Sequence, residues 1–130
     1  AHDHLLTGKP CGGTSESLDL AHNYETDLCL LDINIAIGQS DGMEWKSALY
    51  AILEAACDEL EIARDDIGGS LHPSGLRTWS IVLFDKVPGG AGHVLLVEES
   101  IERVLKAALK RVSSCECGEE TSCYGCLRSY

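Results

Sequence analysis

The stretch SIVLFDKVPGGAG, from Ser80 to Gly92, joins a short apolar run to a glycine-rich segment. Residues 80–84 are rich in β-forming side chains and bounded by polar ones, which predicts a central strand buried on both faces. After the glycines, apolar residues recur at helical spacing from about Ala91 or His93 to Val112, which predicts an amphipathic helix. The apolar positions of this helix are Ile101, Val104, Leu105, Ala108, Leu109 and Val112.

Upstream of this unit, the sequence predicts another strand and another helix. Apolar residues alternate with polar or small ones between Thr26 and Ile37, as in a strand with one buried face. Residues from Met43 to Glu61 follow helical spacing, and charged side chains such as Glu54 lie mostly off the apolar stripe. Residues 61–78 contain too many glycines and prolines to form one element, so we expect at most a short strand from Glu61 to Ile67.

Strand, helix, strand and helix in this order predict an α+β or α/β fold, in which a small sheet is packed by two amphipathic helices. Residues 1–20 mix Gly, Pro, Ser and Thr without periodicity, so they predict an irregular lead-in. Residues 21–130 are short enough to form one domain around a single core. The chain begins without Met, and we expect it to be a fragment of a longer protein.

The distribution of charge limits the partners of the chain. The formal net charge is −11, and residues 1–97 hold five basic and fifteen acidic side chains. A phosphate backbone is repelled by such a surface, so any contact with nucleic acid is expected at the C-terminal end. No apolar run approaches the ~20 residues that cross a bilayer, and the N-terminus lacks the pattern of a signal peptide. We therefore expect a cytoplasmic protein without a membrane partner.

Four of the seven cysteines cluster at the C-terminal end, as Cys115-x-Cys117 and Cys123-x-x-Cys126. Two close pairs of cysteines can place four sulfurs around one Zn²⁺ ion, at about 2.3 Å from the metal. We therefore predict a zinc knuckle formed by residues 115–126. Four thiolates leave no open position for water, which indicates a structural role and not catalysis. Lys110, Arg111 and Arg128 flank the cluster and are candidates to neutralise its negative charge.

Two alternatives for the cysteine cluster remain open from the sequence, namely paired disulfides and an iron–sulfur cluster. The scattered cysteines Cys11, Cys29 and Cys57 make the total odd, which does not resemble a disulfide framework. Cys29 and Cys57 have apolar neighbours, so we predict that they are small buried hydrophobic residues.

The glycine loop, residues 88–92, precedes the second predicted helix and is a candidate for binding a phosphate or a partner. Free amides at a helix N-terminus attract anions, and glycines let a ligand approach the backbone. The loop lacks the G-x-x-x-x-G-K-[ST] pattern of nucleotide-hydrolysing enzymes. A tight turn between strand and helix is the alternative explanation. The residues that we single out for such a contact are Gly89, Gly90, Gly92, His93, Lys110, Arg111 and Arg128.

Three motifs resemble one known family, the MZB domain, a zinc-binding domain associated with mitomycin-repair helicases. Residues 84–92 match its Y-D-x-x-P-G-G-A-G signature, with Phe84 in place of the usual Tyr. The segment from Cys115 to Tyr130 matches its terminal cysteine box, and His22-x-Tyr-x-Thr-Asp27 resembles its upstream element. The resemblance covers nearly all of the chain after about residue 17.

This resemblance implies a module of large DEAD/DEAH-box-type helicases, or of companion proteins encoded beside them, that act in bacterial DNA repair or antiphage defence. It also implies that Cys115, Cys117, Cys123 and Cys126 are the zinc ligands. The expected partners are helicase domains of the same or a companion protein, with DNA as a candidate partner at the C-terminal end. We expect the isolated domain to be non-catalytic.

A metal-dependent nuclease is the alternative function that the sequence leaves open. It would use carboxylates at strand positions, such as Asp32 and Asp85, to hold Mg²⁺. The sequence around Asp85-Lys86 completes no recognised nuclease motif, and so many acidic residues produce such pairs by chance.

Overall fold

The computed structural model describes residues 3, 6–10, 12, 17–32, 43–75, 78–118, 121–123 and 125–127. In this part of the chain, three strands and three helices follow one another in the order β1, α1, β2, β3, α2 and α3. The predicted continuation of the first strand to Ile37 lies outside the described residues. The elements are β1 Leu28–Asp32, α1 Met43–Leu60, β2 Ile67–Gly75, β3 Thr78–Asp85, α2 His93–Glu99 and α3 Ile101–Ser113.

The strands form a three-stranded sheet in the order β1-β3-β2, and both pairs are antiparallel. The fold is therefore α+β, and the prediction of a central strand at 80–84 is confirmed. Ile81 and Leu83 are wholly buried on the face that packs against the helices. Val82 and Phe84 point to the opposite face and are only half-buried. The prediction that this strand is buried on both faces is thus wrong for its outer side.

The predicted short strand from Glu61 to Ile67 is wrong, because residues 61–66 form turns and β2 occupies Ile67–Gly75. The adjacent glycines Gly68 and Gly69 of β2 serve packing and not a turn. A Cβ on Gly68 would lie 2.6 Å from the Phe84 ring, and one on Gly69 would lie 2.6 Å from Leu49 Cδ1. Pro73 is tolerated because β2 is an edge strand, with an irregular register between Pro73 and Gly75.

The first predicted helix is confirmed as α1, and its apolar stripe packs against the sheet and α3. The second predicted helix is in fact two, because Ser100, with φ −108° and ψ 15°, departs from helical geometry. The Ser100 amide donates to the carbonyls of both Leu96 and Val97, at 3.1 and 3.2 Å, which ends α2. This break allows α2 to cover β1 and β3 while α3 packs along α1. Among the described helices, none is both long and apolar enough to span a membrane.

Candidate metal centre

The four clustered cysteines converge at the end of α3. Their four sulfur atoms all lie within 4.8 Å of one another. Three of the separations are 3.5 Å for Cys115 to Cys123, 3.7 Å for Cys117 to Cys126 and 3.8 Å for Cys123 to Cys126. A tetrahedral zinc site with bonds of about 2.3 Å requires sulfurs about 3.8 Å apart. The spacing of the sulfurs therefore fits one zinc ion.

Backbone amides of the second cysteine pair point at the sulfurs. The Cys123 amide donates to Cys126 Sγ at 3.3 Å, and the Gly125 amide donates to Cys123 Sγ at 3.3 Å. Such bonds are the usual second shell of a thiolate site, because they stabilise negative sulfur. Gly125 has no side chain to obstruct the tight turn between Cys123 and Cys126, which lets its amide face a sulfur.

The thiols of the cluster differ in acidity. The amide of Cys123 lowers the pKa of Cys126 to about 7. The amide of Cys117 lowers the pKa of Cys115, but the neighbouring sulfurs of Cys117, Cys123 and Cys126 raise it to about 12 overall. Four sulfurs this close cannot all carry a negative charge without a cation. The donor set therefore suits a dication, which displaces the remaining protons when it binds.

The other two explanations of the cysteine cluster fit this geometry less well. Sulfurs 3.5 to 3.8 Å apart are not bonded, since a disulfide holds them at about 2.05 Å. An iron–sulfur cluster holds its thiolates farther apart, because several iron atoms lie between them. Of the scattered cysteines, Cys29 is buried as predicted, whereas Cys57 is only partly buried and packs against the core. Burial raises the pKa of both thiols. Cys11 lies outside the described residues.

Arg111 links the zinc knuckle to the helical layer. Its Nε donates to the Cys126 carbonyl at 2.7 Å, and its Nη1 forms an ion pair with Asp58 of α1. Its Nη2 lies 3.8 Å from Glu54, which also pairs with Arg64 Nε at 2.8 Å. These partners explain why Glu54 is only 9% exposed, although we predicted that its side chain would lie mostly off the buried stripe.

The candidate basic residues beside the knuckle therefore differ in what they contact. The guanidinium of Arg111 is engaged by protein groups, which removes the reason for expecting it to bind phosphate. Among the described cysteines, no sulfur accepts a hydrogen bond from the Arg111 guanidinium. Lys110 is exposed on α3, and Arg128 lies outside the described residues. Sequence reasoning missed the links from Arg111 to Glu54 and Asp58, which join residues more than fifty positions apart.

The glycine loop closes around Asp85, whose carboxylate is completely buried. Its Oδ2 accepts hydrogen bonds from the amides of Ala91 at 2.7 Å and His93 at 3.1 Å. Its Oδ1 accepts one from the amide of Val94 at 3.0 Å. Amides that could hold a phosphate at the start of α2 thus already hold a carboxylate of the same chain. The geometry favours the tight-turn explanation of the loop.

The upstream motif holds the same loop from its other side. The Thr26 hydroxyl donates a hydrogen bond to the Asp85 carbonyl at 2.8 Å. Its oxygen also lies 3.1 Å from the Val87 carbonyl oxygen. The Gly89 amide donates to the Glu25 carbonyl at 2.8 Å. Gly90 has a φ of 78°, and a Cβ there would overlap the Asp27 carboxylate. Two motifs separated by about sixty residues therefore form one hydrogen-bonded unit.

The carboxylates of the nuclease alternative do not form a site. Asp32 pairs with Ser80 in the sheet, and Asp85 lies five residues farther along β3, on the opposite face. Five strand residues span about 17 Å, so the two side chains cannot share a metal ion. Asp32 instead forms a hydrogen bond with the Ser80 hydroxyl. His93, beside the loop, has its Nε2 3.9 Å from Asp66 Oδ2 and does not approach the sulfurs.

Comparisons with known proteins found one family model, one relative in sequence and one solved structure of similar fold. A family model described as the MrfA Zn-binding domain matches residues 48–127. The chain is 28% identical over 144 residues to Druantia protein DruE of Escherichia coli (strain UMEA 4076-1). The match covers 95% of this chain and 8% of that protein. It resembles the crystal structure of the DUF1998 helicase MrfA bound to DNA with a TM-score of 0.67 and 20% identity, over 98% of this chain and 17% of the helicase. At 20% identity, the resemblance to the helicase structure shows only a shared fold.

Proposed function

This chain belongs to the MrfA Zn-binding domain family, and we propose from that membership that it is a non-catalytic, zinc-stabilised module of a bacterial DNA helicase system. The observation that carries the proposal is the set of four converging sulfurs, which fits one tetrahedral zinc ion. A metal held by four thiolates has no open position for water or substrate. The ion would therefore hold the end of α3 against the terminal segment.

The remaining polar groups also support a structural module. Asp85 is the most buried carboxylate among the described residues, and it accepts hydrogen bonds from three backbone amides. It cannot act as a base or a metal ligand without breaking the start of α2. The glycine loop therefore serves the fold, and the catalytic steps of the system belong to other domains.

The partners that we propose are the helicase domains of a longer polypeptide or of a companion protein. The chain spans 8% of the length of Druantia protein DruE and 17% of the solved helicase chain. The Druantia relative supports a role in antiphage defence, and the solved helicase, which is bound to DNA, supports a role on DNA. Both roles require a protein that works in the cytoplasm, where the DNA substrate is.

The main experiment removes the zinc ion from the helicase polypeptide that carries this chain. In a Cys123→Ser variant, we expect zinc loss and at least a tenfold decrease in the rate of ATP-driven unwinding of a tailed DNA duplex. The matched control is Cys57→Ser, because Cys57 packs against the core and is not part of the cluster. The proposal is wrong if Cys123→Ser loses zinc and still unwinds DNA like the wild type.

Direct contact with DNA at the C-terminal end is a further part of the proposal. Lys110 supports it, because it is exposed on α3 and no described acidic side chain forms an ion pair with it. Fluorescence anisotropy of labelled single- and double-stranded DNA at about 50 mM salt tests the contact. Lys110→Gln should weaken binding several-fold, and Lys46→Gln on α1 should not. Cleavage of these DNAs by the isolated chain with Mg²⁺ would instead favour a nuclease.

A further inference from the structure

The helix α3 carries more apolar surface than the fold covers. Its sequence places six apolar residues at helical spacing, but only Val104 and Ala108 are fully buried, at 0% and 5% exposure. Leu105, Leu109 and Val112 are 41%, 67% and 39% exposed. These three residues stand at positions i, i+4 and i+7, so they form one continuous row along the helix. We call this row the α3 stripe.

The α3 stripe has the form of a docking surface. Single exposed apolar residues are ordinary, but three in one helical row are the pattern by which helices bind apolar grooves. The helix is also fixed at both ends, by the junction at Ser100 and by the bond from Arg111 to the Cys126 carbonyl. A helix that is already rigid loses little conformational entropy when it binds.

We propose that the α3 stripe docks onto an apolar surface of the helicase polypeptide that carries this chain, an inference that rests on the proposed function. The stripe presents on the order of 300 Å² of apolar surface, which is a typical surface patch. Stable complexes of separate proteins bury about 800 Å² on each partner. A partner in the same polypeptide needs less area, because tethering gives effective concentrations in the millimolar range.

The size of the relatives supports this choice of partner. The solved helicase chain contains the whole fold, and the fold takes up only 17% of its length. The rest of that chain is covalently linked to the corresponding domain and is therefore the candidate partner that tethering favours. A second copy of this chain is the less favourable partner, since two stripes facing each other still fall short of the area that a stable dimer needs.

Hydrogen exchange tests the docking directly and without reference to activity. We expect the α3 amides to exchange at least tenfold more slowly in the carrying polypeptide than in the isolated chain. Leu109→Gln should remove this difference. The matched control is Leu28→Gln, which changes a leucine of 60% exposure on the outer face of the sheet. It should leave the α3 protection in place.

Three outcomes would overturn the inference. In the first, the α3 amides exchange equally fast in the isolated chain and in the carrying polypeptide. In the second, Leu28→Gln abolishes the α3 protection and Leu109→Gln does not. In the third, the isolated chain sediments as a dimer that Leu109→Gln dissociates, which assigns the stripe to a second copy. Failure of the proposed function has a different signature: unwinding that persists after zinc loss contradicts that function, whereas α3 exchange measures the contact alone.

Discussion

The glycine loop and the zinc knuckle both have the sequence pattern of ligand sites, but the chain satisfies the polar groups of only one of them. In the loop, Asp85 fills the position that an anion would take, and three amides donate to it. In the knuckle, four sulfurs face one another and no side-chain cation of the described chain lies among them. A glycine-rich helix start therefore indicates a ligand only when no acidic residue of the same chain can reach it. The four sulfurs require a cation from outside.

The largest expected effect comes from removing one cysteine sulfur. This change should affect the knuckle and spare the glycine loop. Structural zinc in small peptides contributes about 10–16 kcal/mol of binding free energy, which exceeds the stability of most domains. Cys126→Ser should lower the zinc content from about one ion per chain to near zero and unfold the knuckle. The glycine loop around Asp85 should persist, because none of its hydrogen bonds involves the knuckle.

Zinc analysis and hydrogen exchange of the isolated chain measure the two regions independently. Loss of zinc should increase exchange at residues 114–127, while the amides of Ala91, His93 and Val94 stay protected. Cys57→Ser is the control, since it changes a thiol outside the cluster. Equal loss of protection in both regions would show that the fold has one cooperative unit and would contradict the separation.

The second effect comes from changing the glycine loop while the zinc knuckle stays intact. Asp85→Ala leaves three amides without their acceptor and empties a buried position, which should cost about 3 kcal/mol of unfolding free energy. Zinc content should not change. Urea unfolding followed by circular dichroism measures the loss, with Asp65→Ala, at an exposed aspartate, as the control. An Asp85→Ala variant as stable as the wild type would mean that the cradle contributes nothing to the fold.

Arg111 joins the knuckle to α1, through Cys126 on one side and Glu54 and Asp58 on the other, so its removal should have an intermediate effect. Arg111→Met leaves the Cys126 carbonyl without its donor and takes one cation away from Glu54, which keeps Arg64. We expect a loss of about 2 kcal/mol in stability and about a tenfold weaker affinity for zinc. Lys110→Met, at the exposed neighbouring position, is the control.

Competition with a chromophoric zinc chelator measures the affinity of the Arg111 variant. The effect on stability should shrink when the zinc ion has been removed, because the knuckle is then no longer fixed against the guanidinium. An equal loss of stability with and without zinc would show that Arg111 supports the helices alone.

Sequence reasoning was most successful where one local pattern sufficed. Helical periodicity gave α1, and the apolar run at 80–84 gave the central strand. The spacing of the cysteines gave the metal centre, and the geometry of the sulfurs supports it. Reasoning failed where a residue depends on distant partners. Gly68 and Gly69 look like turn residues but accommodate Phe84 and Leu49, and Glu54 looks exposed but is paired by two arginines.

The smallest expected effect concerns the backbone of the loop, and it separates strain from contact. Gly89 has a φ of 88° with no atom within 4 Å of an added Cβ, so Gly89→Ala should cost only the left-handed strain of about 1 kcal/mol. Gly90 has a similar φ of 78°, but its Cβ would overlap the Asp27 carboxylate. Gly90→Ala should therefore cost more, and urea unfolding measures the difference. Equal costs for the two variants would mean that Asp27 moves away freely, and that the contact between the upstream segment and the loop is weak.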